Sequence, residues 1–145
     1  MKAPVACVFC AIVRGESPAE RVYEDTGVVA FLDRTPLFHG HVLVVPRAHV
    51  VTLPELPAEG VAPLFACVQQ LAAAVPRAMG AQGSFVAMNN VVSQSVPHLH
   101  VHVVPRTKGD GLRGFFWPRQ KYEGDAAMQS AGAAIRAALR EDGVS

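Results

Sequence analysis

Apolar residues fall into short β-like runs near both ends of a long central stretch whose apolar spacing is helical. Val22–Glu24 and Val28–Leu32 read as two strands, and Asp25-Thr26-Gly27 between them suits a tight hairpin turn. After a break at Thr35-Pro36, the β-branched run His41-Val42-Leu43-Val44-Val45 ends at Pro46. From Glu59 to Met79, Leu64, Val68, Leu71 and Val75 recur near 3.6 residues, which predicts a helix that Pro76 should end or kink. Ser84–Met88 and His98–Val104 read as further strands, and Asp125–Leu139 as a terminal helix. Cys7–Arg14 is short and apolar, and the turn-rich Gly15-Glu16-Ser17-Pro18 follows it. Strands in succession, with one helix inserted and one appended, predict an α+β fold with an antiparallel sheet.

One run departs from an ordinary strand. His98-Leu99-His100-Val101-His102-Val103-Val104 alternates histidine with apolar residues, the period of a strand. All three imidazoles then share one face, with neighbours roughly 6.5 Å apart along the chain. A lone histidine on a strand is most often structural. Three on one face, beside the polar loop Asn89-Asn90-Val91-Val92-Ser93-Gln94-Ser95, point to chemistry near neutral pH. A neutral imidazole nitrogen is a good nucleophile on phosphorus, and neighbouring amides, hydroxyls and histidines can hold the phosphoryl oxygens. Three zinc ligands on one strand is a weaker reading, because adjacent side chains on one face diverge too little for tetrahedral coordination by all three. Of the remaining histidines, His39 and His41 flank Gly40 before the third strand, and His49 follows Pro46-Arg47-Ala48.

Composition narrows the classes. A chain of 145 residues, 50% hydrophobic and 17% charged, suits one domain, 1–145, with a sizeable core. A formal charge of +1 gives no electrostatic case for a nucleic-acid or anionic membrane partner. No signal-like h-region opens the chain, and Pro63, Pro76 and charged residues interrupt the alanine-rich stretches, so no membrane span is expected. Three cysteines, Cys7, Cys10 and Cys67, make a disulfide framework improbable and favour the reducing cytoplasm. Cys67, inside the helical stretch, reads as a core residue. The C-x-x-C pair Cys7-Val8-Phe9-Cys10 can supply two thiolates to zinc, or be two small buried residues beside Phe9 and Ile12. No βαβ pattern surrounds it, which disfavours a thioredoxin-like redox role.

The histidine run fits the H-φ-H-φ-H-φ-φ signature of the histidine triad (HIT) superfamily, φ being apolar. The chain resembles that family, in its bacterial Hint-like hydrolase branch, over about 7–106. Cys7–Glu16, Val22–Asp25, Ala30–Asp33, Gly40–Pro46 with His49, Asn89-Asn90 and Gln94-Ser95-Val96 follow in the family's order, and a tail and helix occupy 107–145. The resemblance implies an antiparallel sheet of about five strands with one long helix and a C-terminal helix, in a homodimer that binds nucleotides. It implies a hydrolase or transferase acting on a phosphorus-linked nucleoside monophosphate, such as an adenosine phosphoramidate or dinucleoside polyphosphate, through a nucleotidyl-histidine intermediate. His100 would be the nucleophile, with His102 and His41 supporting it. Gln94 and Ser95 would touch phosphate or leaving group, and Asn89 would help to hold them. Asp33 would bind the ribose hydroxyls, its competing reading being a turn-forming Asp before Arg34-Thr35-Pro36. Phe9, Ile12, Phe31 and Leu32 would form the base and ribose pocket. The resemblance also implies a structural Zn2+ held by Cys7, Cys10, His49 and His98, and no organic cofactor.

The chain departs from the family's pattern where Val91-Val92-Ser93 replaces a longer, glycine-containing stretch, and His39 is extra to the motif. The tail Phe115-Phe116-Trp117-Pro118 suits packing more than recognition. Two alternatives stay open: a phosphorylase that uses inorganic phosphate in place of water, and a nucleotide-binding interaction module with little catalysis.

Overall fold

The computed structural model describes residues 7–112 and 119–143. They fall into two compact units, divided between Asp110 and Gly111. The first carries every candidate site residue. Its elements in order are α1 (Val8–Val13), β1 (Arg21–Glu24), β2 (Val28–Leu32), β3 (Val42–Pro46), a 3-10 turn (Leu53–Glu55), α2 (Ala58–Met79), β4 (Gly83–Ala87) and β5 (Val101–Arg106). The five strands form one antiparallel sheet in the order β1-β2-β3-β5-β4. The second unit contains α3 (Asp125–Glu141). The aromatic tail Phe115–Pro118 lies outside the described residues.

Both faces of the sheet centre are covered, which explains why β2 and β3 are continuous apolar runs rather than alternating ones. On one face Val28, Ala30, Val42, Val44, Leu99, Val101 and Val103 pack against Leu64, Cys67, Val68 and Val75 of α2. On the other, Val29, Phe31, Leu43 and Val45 pack against Phe9, Cys10 and Ile12 of α1. The period-2 rule therefore sends the odd-numbered residues of the histidine run into the α2 core and the histidines to the α1 side.

Several element expectations are corrected. The strand expected over His98–Val104 begins only at Val101; His98, Leu99 and His100 form an irregular approach, with the Leu99 N–H donating to Val50 O at 2.7 Å. Pro76 does not end α2, which runs on to Met79 and closes at Gly80, whose left-handed conformation (φ 66°) lets its N–H reach Pro76 O. With 22 residues, α2 is also long and apolar enough to cross a membrane by length and composition, contrary to the expectation that no stretch would be. Its apolar stripe instead packs on the sheet. α1 had no counterpart in the sequence reading. Its six residues are too few for periodicity to register, and its first turn is capped by Cys7, whose Sγ accepts from the Cys10 N–H. The hairpin turn is as expected, with Asp25 Oδ1 accepting from the Gly27 and Val28 N–H groups at 2.8 and 2.9 Å.

Candidate active site and metal centre

Two histidine clusters lie side by side at the approach to β5. In the first, Cys7 at the N-cap of α1 and Cys10 within it meet His49 and His98. One potential ligand atom from each lies within 4.8 Å of all the others. His98 Nδ1 is 3.4 Å from Cys7 Sγ and 3.5 Å from Cys10 Sγ, and His49 Nδ1 is 3.2 Å from Cys10 Sγ. A tetrahedron with Zn–S of about 2.3 Å and Zn–N of about 2.0–2.1 Å has edges of about 3.3–3.8 Å, so the donor set fits zinc in size as well as in chemistry. His98 Nε2 donates to Pro46 O at 2.9 Å, which fixes the tautomer and leaves Nδ1 unprotonated toward the sulfurs. That carbonyl is available because the β3–β5 ladder covers only Val42–Val44 on β3. Burial first, then the Cys7 side chain, raises the Cys10 thiol to about 11, so without a cation the cysteine stays neutral. These four residues are the ones that would hold a structural zinc, which would pin α1 to the approach to β5.

In the second, Asp33, His100 and His102 line a cleft of about 670 Å³ on the same face, and His41 is buried behind them against His102. His100 Nδ1 donates to the His98 carbonyl at 2.7 Å. In a neutral ring that leaves the lone pair on Nε2. A chain of donors fixes the other two rings. The Leu37 N–H, which can only donate, meets His41 Nδ1 at 3.1 Å, so His41 carries its proton on Nε2. Nε2 lies 2.9 Å from His102 Nδ1 and donates to it, which puts the His102 proton on its own Nε2. Burial is the largest cause holding both rings neutral. It lowers His41 against the opposing pull of Asp33, and it lowers His102 to about 4, with His100 and His41 adding to the effect. Asp33 Oδ2 stands 3.7 Å from His41 Nε2. Although Asp33, His41 and His102 also group as potential metal ligands, the direct contact between the two imidazoles is a hydrogen bond.

These shifts have a measurable consequence. In the unfolded chain His41 and His102 take up protons near 6.5, while in the fold they resist doing so, so stability is complete above about pH 6.5 and falls as the pH drops toward 4. The urea midpoint of the wild type should fall across that window more steeply than that of His102→Gln. Equal slopes for the two proteins would show that His102 carries no such linkage.

Of the residues expected around a nucleotide, Phe9, Ile12, Phe31, Leu32, Asp33, Ser95, His100 and His102 line the cleft. His41, Gln94 and Asn89 do not, His41 touching instead the His102 ring that does. The Gln94 amide donates to Val51 O at 2.6 Å and its Oε1 accepts from the Val91 N–H at 3.1 Å, while Asn89 donates to Ser93 O at 3.1 Å. Here the two side chains brace a loop in which Val91 (φ 71°) and Ser93 (φ 62°) hold left-handed conformations usually left to glycine. Asp33 combines both readings offered for it: Oδ1 accepts from the Thr35 N–H in a turn, while the carboxylate also faces the cleft. The sequence reading missed Leu43 and the rim residues Ala19, Glu20, Arg34 and Thr35. Leu43 was accessible through register, since it pairs with Phe31 on one side and His102 on the other.

Gly40 positions this cluster. Its φ is +96°, and a Cβ there would sit 2.5 Å from Met79 Cγ at the end of α2. Gly40→Ala is expected to cost about 1–3 kcal/mol through the forbidden φ and the clash. Displacing His41 should lower kcat as well. Unchanged thermal midpoint and kcat in that variant would show that the loop relaxes freely.

A five-stranded antiparallel sheet presenting paired histidines beside a Cys/His cluster defines an α+β protein with a histidine-lined cleft. The HIT domain model matches residues 14–109, and the chain belongs to the HIT family. It is 39% identical over 140 residues to an uncharacterised HIT-like protein of Mycobacterium tuberculosis, covering 93% of this chain and 94% of that one. It is 34% identical over 116 residues to the adenosine 5′-monophosphoramidase hnt1 of Schizosaccharomyces pombe, covering 79% and 84% respectively. A zinc-bound histidine triad family protein from Mycobacterium smegmatis superposes with a TM-score of 0.70 at 40% identity, covering 92% of this chain and 97% of that one. Hydrolysis of nucleotides is thus supported at the level of the family.

Proposed function

We propose that this chain hydrolyses or transfers phosphorus-linked nucleoside monophosphates, such as adenosine phosphoramidates or dinucleoside polyphosphates, by nucleophilic catalysis at His100. The observation that carries the reading is the 2.7 Å bond from His100 Nδ1 to the His98 carbonyl, which leaves Nε2 unprotonated in a ring lining the cleft. Nε2 forms a bond to the α-phosphorus while the bond from phosphorus to the leaving group breaks. Water then attacks the same phosphorus and the P–N bond to His100 breaks, and the proton that water sheds balances the one a leaving amine takes up. His102, its proton on Nε2 by virtue of His41, donates to phosphoryl oxygen. Ser95 supports the phosphate or leaving group, and Asp33 the ribose hydroxyls. Gln94 and Asn89 act through the loop that carries Ser95. Zinc at Cys7, Cys10, His49 and His98 serves structure and fixes the His98 main chain from which His100 hangs. Three free cysteines suit the reducing cytoplasm, and a homodimer is the assembly the family resemblance implies.

A turnover screen tests this reading. Adenosine phosphoramidate, diadenosine tri- and tetraphosphate and a sugar nucleotide are assayed with and without inorganic phosphate, with His100→Ala as control. Turnover of at least one substrate that depends on His100 is expected. Rates that persist in the variant exclude the mechanism, and a requirement for phosphate reassigns the chain as a phosphorylase.

A further inference from the structure

The cleft's lining passes from β5 through β3 to β2 and the segment before β1, and pairing gives its direction. His102 on β5 pairs with Leu43 on β3, Leu43 pairs with Phe31 on β2, and Phe31 pairs with Arg21 on β1. Three steps between neighbouring strands of about 4.8 Å separate the two ends by about 14 Å. His100, His102 and Ser95 occupy one end. At the other is Glu20, the residue before β1, whose carbonyl accepts from the Leu32 N–H at 2.9 Å. Between them the lining is largely apolar, with Phe9, Ile12, Phe31 and Leu43. Such a floor packs against any purine and cannot tell one from another.

Discrimination therefore rests on polar groups beyond the floor. Ser95 and the histidines stand at the phosphate end, and Asp33 leans toward His41. Glu20 lines the far end, and its carboxylate has no hydrogen bond or ion pair among the described residues. An ionised carboxylate only accepts. Guanine offers it two adjacent donors, the ring N1–H and the 2-amino group. Adenine offers the 6-amino group beside a ring nitrogen whose lone pair repels the carboxylate. Arg34, also on the rim and without a hydrogen bond or ion pair among the described residues, can only donate and so cannot accept from N1–H and the 2-amino group.

We propose that Glu20 reads the base, accepting from N1–H and the 2-amino group of guanine, so that the cleft prefers guanosine monophosphate and its conjugates to their adenosine counterparts. The inference rests on the nucleotide reading above, with the phosphate at His100. Calorimetric binding of GMP, IMP and AMP to the wild type and Glu20→Ala tests it. Wild type should bind GMP about fivefold more tightly than AMP, with IMP between them because it keeps N1–H and lacks the 2-amino group; fivefold is the lower end for a bidentate contact, as befits an exposed carboxylate. In Glu20→Ala the three affinities should converge. Equal affinities in the wild type, or a preference for GMP that survives in Glu20→Ala, overturns the proposal. Turnover of guanosine phosphoramidate is measured alongside. A GMP preference that depends on Glu20, without turnover, would support the base reading while removing the hydrolase reading.

Discussion

His100→Ala is expected to lower kcat/KM for adenosine phosphoramidate by about 10⁴-fold or more, the scale of loss when a covalent nucleophile is removed. AMP affinity should change little, because the base and ribose contacts lie elsewhere in the cleft. The pairing of these two results is diagnostic. A residue that merely filled space beside Phe9, whose ring lies 5.1 Å from that of His100, would alter binding and stability together. Single-turnover measurements sharpen the test. A nucleophile leaves no covalent nucleotide on the protein once removed, and 10% or more of wild-type turnover in the variant would rule out the assignment.

If the proposed zinc is bound at the Cys/His cluster, its removal should have the largest effect on stability. Protein purified without added zinc is expected to carry one zinc per chain, measured by atomic emission, and Cys10→Ser or a strong chelator should abolish it. Cys7, Cys10 and His98 are buried in the fold, so losing the ion leaves polar and ionisable groups facing one another without compensation. A loss of about 3–5 kcal/mol follows, which lowers the thermal midpoint by on the order of 10–20 °C for a domain of this size. Activity should fall with it, since the His98 carbonyl that orients His100 belongs to a residue of the Cys/His cluster. Zinc-free wild type with an undiminished midpoint would refute the structural role.

The sequence was most informative where side-chain period and chemistry coincide. The alternation from His98 to His102 sorted apolar from imidazole faces correctly, even though regular strand begins only at Val101. Val28–Leu32 and the helical stripe of α2 were legible because burial repeats along them. Less legible were features set by main-chain partners far apart in the chain. Nothing local announces that Gln94 turns to Val51 O, or that Pro46 leaves a carbonyl for His98. Pro76 misled because a proline near the last turn removes only one hydrogen bond, and packing against the sheet outweighs it. The rim residues Glu20 and Arg34 were invisible for a different reason: charged residues beside turns are ordinary, and only the cleft gives them a context.

The covering of β2 and β3 on both faces bears on how a protein of this shape can diversify. Phe31 and Leu43 are at once floor of the cleft and core of the domain, so selection for folding holds them still. Glu20, Arg34 and Thr35, exposed residues of connecting segments, touch the same cleft and bury no comparable core. Mutation there is cheap in stability and consequential for what enters. Lineages can accordingly drift from one substrate to another along the rim while the histidines, the cysteines and the sheet beneath them stay in place.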